Sequence, residues 1–394
     1  MIERALAEAV FREVIAACDP ARRVRDALVR LAGTLAGRRR VAFAAGKAAL
    51  AMARGAGEVS DGVCVVPRGG GGALPAGWRL YEAAHPEPDE ASVAAGRAVQ
   101  ALVASAAAGD VILALMSGGA SALIEVPIGG LDALVATVRA VMAAGAPIDE
   151  INAVRGALSA IKAGKLARGA AAPIVTLAVS DVIGDPLAVI GSGPTVAPAT
   201  VGRARAILAR HGVAAPALDD GAAGDAARAS DRAEVIAAMA SAGEAAIRAL
   251  ASRGVAAQWS AAPIAGDVEA VARRLVAVAG AQVAWGEPTL RVPAVHGAGG
   301  RAQQLALVLA RELRGTARGA LVVGTDGIDG PPPVGRPAPA GAWIDGATWD
   351  AIAARRDPAA ALAACDAGSA LAEVGALVVT GPSGINHADL VILG

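Results

Sequence analysis

An α/β fold of two domains, its sheets mostly parallel and flanked by helices, is what the order of apolar segments in this sequence predicts. Three observations carry that expectation. Short runs rich in β-branched and apolar residues recur along the chain, and the clearest, 174–179 and 110–115, read as strands, the former buried on both faces. Helical stretches separate these runs, an alternation that predicts parallel sheets covered on both sides. The length of 394 residues exceeds that of one ordinary domain.

Composition narrows the class further. Hydrophobic residues make up 55% of the chain, but alanine supplies much of that figure. No run of about 18 strongly apolar, uncharged residues reads as a spanning helix. The first eight residues alternate charge and alanine like an amphipathic helix and carry no signal-peptide pattern, so a soluble, cytoplasmic protein is expected. Thirty-six basic residues balance 36 acidic ones, and no global field favours nucleic acid or membrane. Two phenylalanines and one tyrosine leave little for base stacking. Cys18, Cys64 and Cys365 are scattered, without metal-ligand spacing, and suit a reducing compartment.

In order, residues 3–32 read as two helices interrupted at Asp19-Pro20, and Val41 to Ala45 as a short buried strand. Gly46-Lys47 then makes a turn into a helix, and a second strand contains Gly62 to Pro67. Asp89 is placed to cap another helix, with Glu90 and Ser92 in its first turn. Strand 110–115 runs into Ser117-Gly118-Gly119-Ala120-Ser121, and helices are expected over 131–144 and 149–168 before the strand at 174–179. Residues 196–232, punctuated by Pro198, Pro216, Asp219 and Asp220, lose apolar periodicity. The domain boundary is therefore placed after 232, giving domains 1–232 and 233–394. The second half opens with a helix at 233–252 and a strand near 255–261. Strands at 282–285 and 290–292, a helix at 301–314 and a strand at 320–323 follow. Strands at 376–380 and 389–393 close the chain.

Several of these segments can carry chemistry. Past the strand at 174–179, Ser180, Asp181 and Asp185 precede Gly191-Ser192-Gly193-Pro194-Thr195. Parallel sheets bind ligands just beyond the carboxyl ends of their strands. Two carboxylates there suit a divalent metal, and the glycines and hydroxyls suit phosphate. An Asx-turn with a proline-stiffened loop is the plainer alternative. Gly46-Lys47 sits where a phosphate loop would but does not match the P-loop pattern, which wants glycine at Val41 and Ser or Thr at Ala48. A lysine at a helix N-terminus is unfavourable unless an anion joins it. The small turn at Ser117 to Ser121 lets a ligand approach backbone, but lacks the nucleophile-elbow pattern.

Asn152, Arg155, Lys162 and Lys165 lie on one predicted helix, and the three cations share a face, either solvated or beside an anionic ligand. His85 and His296, in glycine- or proline-flanked turns, are candidates for ligand contact. Gly297-Ala298-Gly299-Gly300-Arg301-Ala302 fits Gly-x-Gly-x-x-Gly/Ala after an expected strand at 289–295. Asp326 lies roughly where a ribose-binding acid would, a weak match to a dinucleotide oxidoreductase. Asp326 and Asp329, in the glycine-rich turn 324–330, could face one cation or one hydroxyl, or bond only their own backbone.

Taken together, these segments resemble the bacterial glycerate 2-kinase family, whose C-terminal part is the MOFRL domain. The resemblance rests on Ala45 to Ala49, His85 to Ser92, Ser117 to Leu123, Ile161 to Ala167, Ser180 to Asp185, Gly191 to Thr195 and Gly324 to Gly330, in family order over nearly the whole chain. It implies two Rossmann-like α/β domains with the active site in the cleft between them. The implied reaction is ATP- and Mg²⁺-dependent phosphorylation of D-glycerate to 2-phosphoglycerate. Some relatives are labelled hydroxypyruvate reductase, which keeps an NAD(P)H-dependent reaction in view.

By the same resemblance, Lys47 and Arg301 stabilise the transferring phosphoryl group, and Arg301 also grips the glycerate carboxylate. Asp326 or Asp329 orients the attacking hydroxyl, while Asp181 and Asp185 hold metal. His85, Ser117, Gly118, Gly119, Ser121, Lys165, Ser192, Gly193 and Thr195 bind substrate or nucleotide. The partners are D-glycerate and a nucleotide, not nucleic acid or membrane, and a homodimer stays open. The chain departs from the family at Ala302 and Gln304, where Asn and Glu are usual, at Pro331 to Pro333, and at His387. These departures make a catalytically impaired ligand-binding homologue a further alternative.

Overall fold

Val41, Phe43 and Ala45 pack into one apolar cluster and Ala42 and Ala44 into another, because successive side chains of a strand point to opposite faces. The computed structural model that shows this describes residues 2–182, 184–196, 203–219, 231–260 and 262–394. Of the residues singled out in sequence, Pro198 and Asp220 lie outside those described. The chain divides into two compact units, Pro20–Ala238 and a second formed by Met1–Asp19 with Met239–Gly394.

The first unit holds β1 (Arg40–Ala45), β2 (Asp61–Pro67), β3 (Trp78–Ala83), β4 (Val111–Met116), β5 (Ile174–Val179) and β6 (Arg232–Ala237). They form one sheet in the order β3-β2-β1-β4-β5-β6, and every pairing is parallel. Strand order reverses between β1 and β4, the kind of switch point that leaves a crevice at the strands' carboxyl ends. Ala45 pairs with Met116 there, so Gly46 and Ser117 leave the sheet side by side. The Leu131–Ala143, Ile148–Leu158 and Ala204–Arg210 helices share a smaller core through Leu134, Val138, Val154 and Leu208. Asp89 caps the Glu90–Ser105 helix in a reciprocal box with Ser92.

The second unit contributes β7 (Gln258–Trp259), β8 (Ile264–Asp267), β9 (Gln282–Thr289), β10 (Gly319–Gly324), β11 (Gly341–Asp345), β12 (Leu377–Val378) and β13 (Asp389–Leu393). Their order is β12-β11-β10-β13-β9-β7, with β8 also on β9. Pairings among β9 to β13 are antiparallel, and only β7 and β8 run parallel to β9. The parallel arrangement expected of both sheets thus holds for the first and not the second. The Arg301–Glu312 helix is buried almost all round against one face of this sheet. No helix among the described residues is long and apolar enough to cross a membrane.

Several expectations are corrected. The N-terminal Arg4–Ala17 helix belongs to the second unit, because Ala7, Val10, Phe11 and Val14 bury against Ala245, Ala246 and Leu321. The division falls after Ala238, not 232. Residues 233–237, read as the start of a helix, belong to β6 because pairing with β5 overrides the helical propensity of Ala and Glu. The helix expected over 149–168 is two, Ile148–Leu158 and Lys165–Arg168, broken where Ala163 and Gly164 adopt positive φ. The strands expected at 289–295 do not form beyond β9, which ends at Thr289.

Candidate active site

In the first unit the switch-point turns come together. The Lys47 amide donates to the Gly118 carbonyl (2.8 Å), and the Ala48 amide donates to Ser117 Oγ (3.1 Å). Asp181, just past β5, holds its carboxylate against the same turn: a Cβ on Gly118 would fall 1.8 Å from Asp181 Oδ2. A Cβ on Gly119 would meet the His85 ring at 3.0 Å and Lys47 Cγ at 3.5 Å. Burial and the neighbouring Lys47 charge hold His85 below the usual histidine range, so its imidazole is neutral at pH 7. His85, Gly118, Gly119 and Asp181 border a cavity of about 690 Å³, whose lining also includes Ser121 and Arg155.

Lys162 forms part of the same lining and is fully buried. Its ammonium donates to the Ser121 carbonyl (2.7 Å) and pairs with the fully buried Glu125. Desolvation lowers the Lys162 pKa, and Glu125 counters it. Ser121 Oγ and Ser192 Oγ are 2.9 Å apart. The neighbouring Arg139 and Glu87 pair with each other.

Other expected ligand groups serve the fold. Lys165 does not reach the cavity lining. Its ammonium bonds the Gly156 and Ser159 carbonyls (3.0 Å each) and Asp219 (3.2 Å), satisfying the carboxyl end of the Ile148–Leu158 helix. Arg155, Lys162 and Lys165 therefore do not share one face, because the chain turns between them. Thr195 Oγ1 bonds Thr176 Oγ1 on β5 (2.8 Å), and the Gly193 carbonyl accepts from the Gly164 amide (2.7 Å). Asp185 adopts a positive φ and is not among the residues lining the cavity. No group of three or more His, Cys, Asp or Glu suited to a metal occurs among the described residues.

In the second unit, Arg301 opens the Arg301–Glu312 helix, an unfavourable place for a cation. Two carboxylates compensate. Nε donates to Asp389 Oδ2 (2.9 Å) and Nη2 to Glu287 Oε1 (2.8 Å), while Nη1 has no hydrogen bond among the described residues. These contacts raise the Arg301 pKa despite its partial burial. Desolvation pushes Asp389 up to about 7, against the pull of Arg301. Asp329 caps the same helix, its carboxylate accepting from the Ala302 amide (3.1 Å), the Gln303 amide (2.7 Å) and Gln303 Nε2 (2.9 Å). Burial nevertheless raises its pKa.

Asp326 Oδ1 accepts from the Ile328 amide (3.1 Å), and Asp326, Asp329, Arg301 and Asp389 border a cavity of about 260 Å³. His296 is exposed and borders a separate cavity beside Arg301 and Pro331. Asp389, the last residue of the family's final motif, and Glu287 stand 88 and 14 positions from the arginine they hold, so neither pairing shows in sequence spacing.

The geometry also decides between readings of the glycine run at 297–300. Eleven residues separate β9 from the helix, so the glycines do not follow a strand directly as a dinucleotide fingerprint requires. The helix N-terminus that would receive a pyrophosphate already carries the Asp329 carboxylate. Ala302 packs wholly in the core and Gln304 bonds the Leu362 carbonyl (2.8 Å), so both departures from the family pattern face the interior.

Two family models match the chain, the domain of unknown function DUF4147 over residues 6–220 and the MOFRL family over 280–389. A Thermotoga maritima protein named D-glycerate 2-kinase is 33% identical, the alignment covering 98% of this chain and 97% of that protein. An Agrobacterium vitis protein with a provisional hydroxypyruvate reductase name is 35% identical over 97% of this chain and 92% of its own length. The crystal structure of glycerate kinase from Thermotoga maritima superposes with a TM-score of 0.88 at 30% identity, covering 99% of this chain and 98% of that one. With both domains matched in order and relatives aligned end to end, the chain belongs to the glycerate 2-kinase family.

Proposed function

We propose that the protein transfers the γ-phosphoryl group of ATP to the 2-hydroxyl of D-glycerate, giving 2-phosphoglycerate. The observation that carries this reading is the convergence of Lys47, Ser117, Gly118, Gly119 and Asp181 at the carboxyl ends of β1, β4 and β5. Phosphoryl transfer asks for in-line positioning and charge neutralisation, which backbone N–H groups and a cation supply. Lys47 neutralises charge on the transferring group, and the Ser117–Gly119 turn cradles phosphate. Arg301 offers its unbonded Nη1 as a second cation. Asp326 orients or deprotonates the attacking hydroxyl, because the Asp329 oxygens are committed to capping a helix.

Magnesium in kinase sites is held by one or two carboxylates with phosphate oxygens and water completing its shell. Asp181, a single carboxylate beside a phosphate-type turn, fits that mode and would hold the ion; Asp185 is left out. When bound, the ion neutralises phosphate charge. The reductase alternative is weaker, since the glycine run lacks its strand context and the helix end is filled.

ADP release coupled to an indicator reaction, with D-glycerate and Mg²⁺, tests the reading beside an NADH control with hydroxypyruvate. Glycerate-dependent ADP release is expected; hydroxypyruvate-driven NADH oxidation in its absence would move the protein to the other class. Lys47→Ala should lower kcat by roughly 10²–10³-fold with little change in the KM for glycerate. Near-normal turnover in that variant removes Lys47 from the mechanism.

A further inference from the structure

Arg155 projects from the Ile148–Leu158 helix into the lining of the first unit's cavity, half-buried. Among the described residues it makes no hydrogen bond and no ion pair. The nearest carboxylate is already engaged: Glu125 pairs with Lys162 through one oxygen and accepts the Val126 amide (3.0 Å) through the other. Arg139 and Glu87, on the same cavity, neutralise each other. Burial lowers the Arg155 pKa, and Glu125 offsets that only in part. A guanidinium carries five donors and no acceptor, and Arg155 presents them to the cavity with none engaged by a described residue.

We propose that Arg155 is the anchor for the substrate's carboxylate, placing the small hydroxy acid in the first unit's cavity with the Asn152 side chain beside it. The inference rests on the kinase reading and reassigns one of its parts. Arg301 cannot grip a carboxylate through its Nε–Nη2 edge, because Asp389 and Glu287 occupy those nitrogens. Phosphate has its own recognition at the Ser117–Gly119 turn. Of the described residues lining the cavity, Arg139 is taken by Glu87, and Arg155 supplies the unengaged planar fork matched to a carboxylate. The cavity, at about 690 Å³, is far larger than a three-carbon acid, and its remaining wall is apolar along Leu134, Val135 and Val138. A nucleotide phosphate on Arg155 is the rival occupant.

Arg155→Met and Arg155→Lys separate the two. With Arg155→Met the KM for D-glycerate should rise about 10- to 100-fold, while the KM for ATP stays within about twofold. D-glyceramide, the neutral amide of the same size, should be a far poorer substrate than glycerate for the wild type, and that ratio should collapse towards one in the variant. Arg155→Lys keeps the charge and stem but not the fork, so it should recover only part of the loss. Melting of Arg155→Met close to the wild-type temperature is expected, because no hydrogen bond or ion pair to a described residue is lost.

A rise confined to the KM for ATP, or an unchanged glycerate-to-glyceramide ratio, overturns the assignment. Absence of glycerate-dependent ADP release in the wild type would instead defeat the kinase reading. Calorimetric titration of D-glycerate and of ATP into wild type and Arg155→Met then decides the site by itself: glycerate binding weakened or lost in the variant supports it, and binding unchanged in the variant, or absent in the wild type, sinks it.

Discussion

Asp389 begins β13 with its carboxylate buried against Arg301, and the energetic conflict at this residue has a pH signature. Its pKa is pushed up to about 7 by burial, against roughly 3.9 in an unfolded chain. An acid whose folded pKa exceeds its unfolded value holds its proton more firmly when folded. Its contribution to stability is therefore present at the acid end and is lost as pH rises from about 4 through about 7. Asp389→Asn should flatten that part of the stability profile, measured by urea unfolding at a series of pH values. If the ionised form is what orients Arg301, wild-type kcat/KM should fall below about pH 7. The variant should lose that limb and run roughly 10- to 100-fold slower on its plateau. An unchanged acid limb in Asp389→Asn would assign the ionisation to another group.

At the scale of the element, the Arg301–Glu312 helix begins at Gly300 with no cap of its own and borrows Asp329 from the turn after β10. The glycine at 300 is required by that loan: a Cβ there would lie 2.2 Å from Asp329 Oδ1 and 2.7 Å from its backbone carbon. Gly300→Ala should displace the carboxylate, uncap the helix and cost about 1–3 kcal/mol by denaturant unfolding. Glycerate kinetics should suffer as well, since Arg301 is the first residue of the helix. A variant of wild-type stability would show that the turn yields without losing the cap.

The same element shows where sequence reading stops. The helix itself was legible in sequence, and so were the opening of β9 at 282–285 and the glycine turn, but not the end of β9, since the further strand expected at 289–295 does not form. That Asp329 is a cap and not a free carboxylate was not, because it stands 26 and 27 positions from the amides it accepts and the chain between must fold before they meet. Likewise Lys162 and Lys165 have the same charge and lie three residues apart. Only the break at Ala163 and Gly164 sends one to the cavity and the other to a helix end.

For the whole molecule, the consequence of greatest reach is that the first helix belongs to the second unit. Ala7, Val10, Phe11 and Val14 are essentially inaccessible to solvent, packed in a cluster with Ala246, Leu250 and Leu321. Deleting residues 2–17 should weaken that unit by on the order of 5 kcal/mol, from the apolar area exposed. The first unit should keep its stability. Hydrogen exchange read by mass spectrometry should show lost protection at Ser241–Ala251 and β10, with β1, β4 and β5 unchanged. Equal loss in both units would mean that the N-terminal helix supports the fold in another way.

The local pattern of the chain determined most of the first unit, because a parallel strand buried on both faces announces itself as an apolar run and its turn must carry small residues. It also determined that Lys47, Ser117 and Asp181 follow strand ends, which is a statement about neighbours in sequence. Tertiary structure alone decided the antiparallel pairing of the second sheet, the partners of Arg301, the capping role of Asp329 and the isolation of Arg155. Each of those depends on contacts between residues distant along the chain, and hydrophobic periodicity records only which side of an element is buried, never what it is buried against.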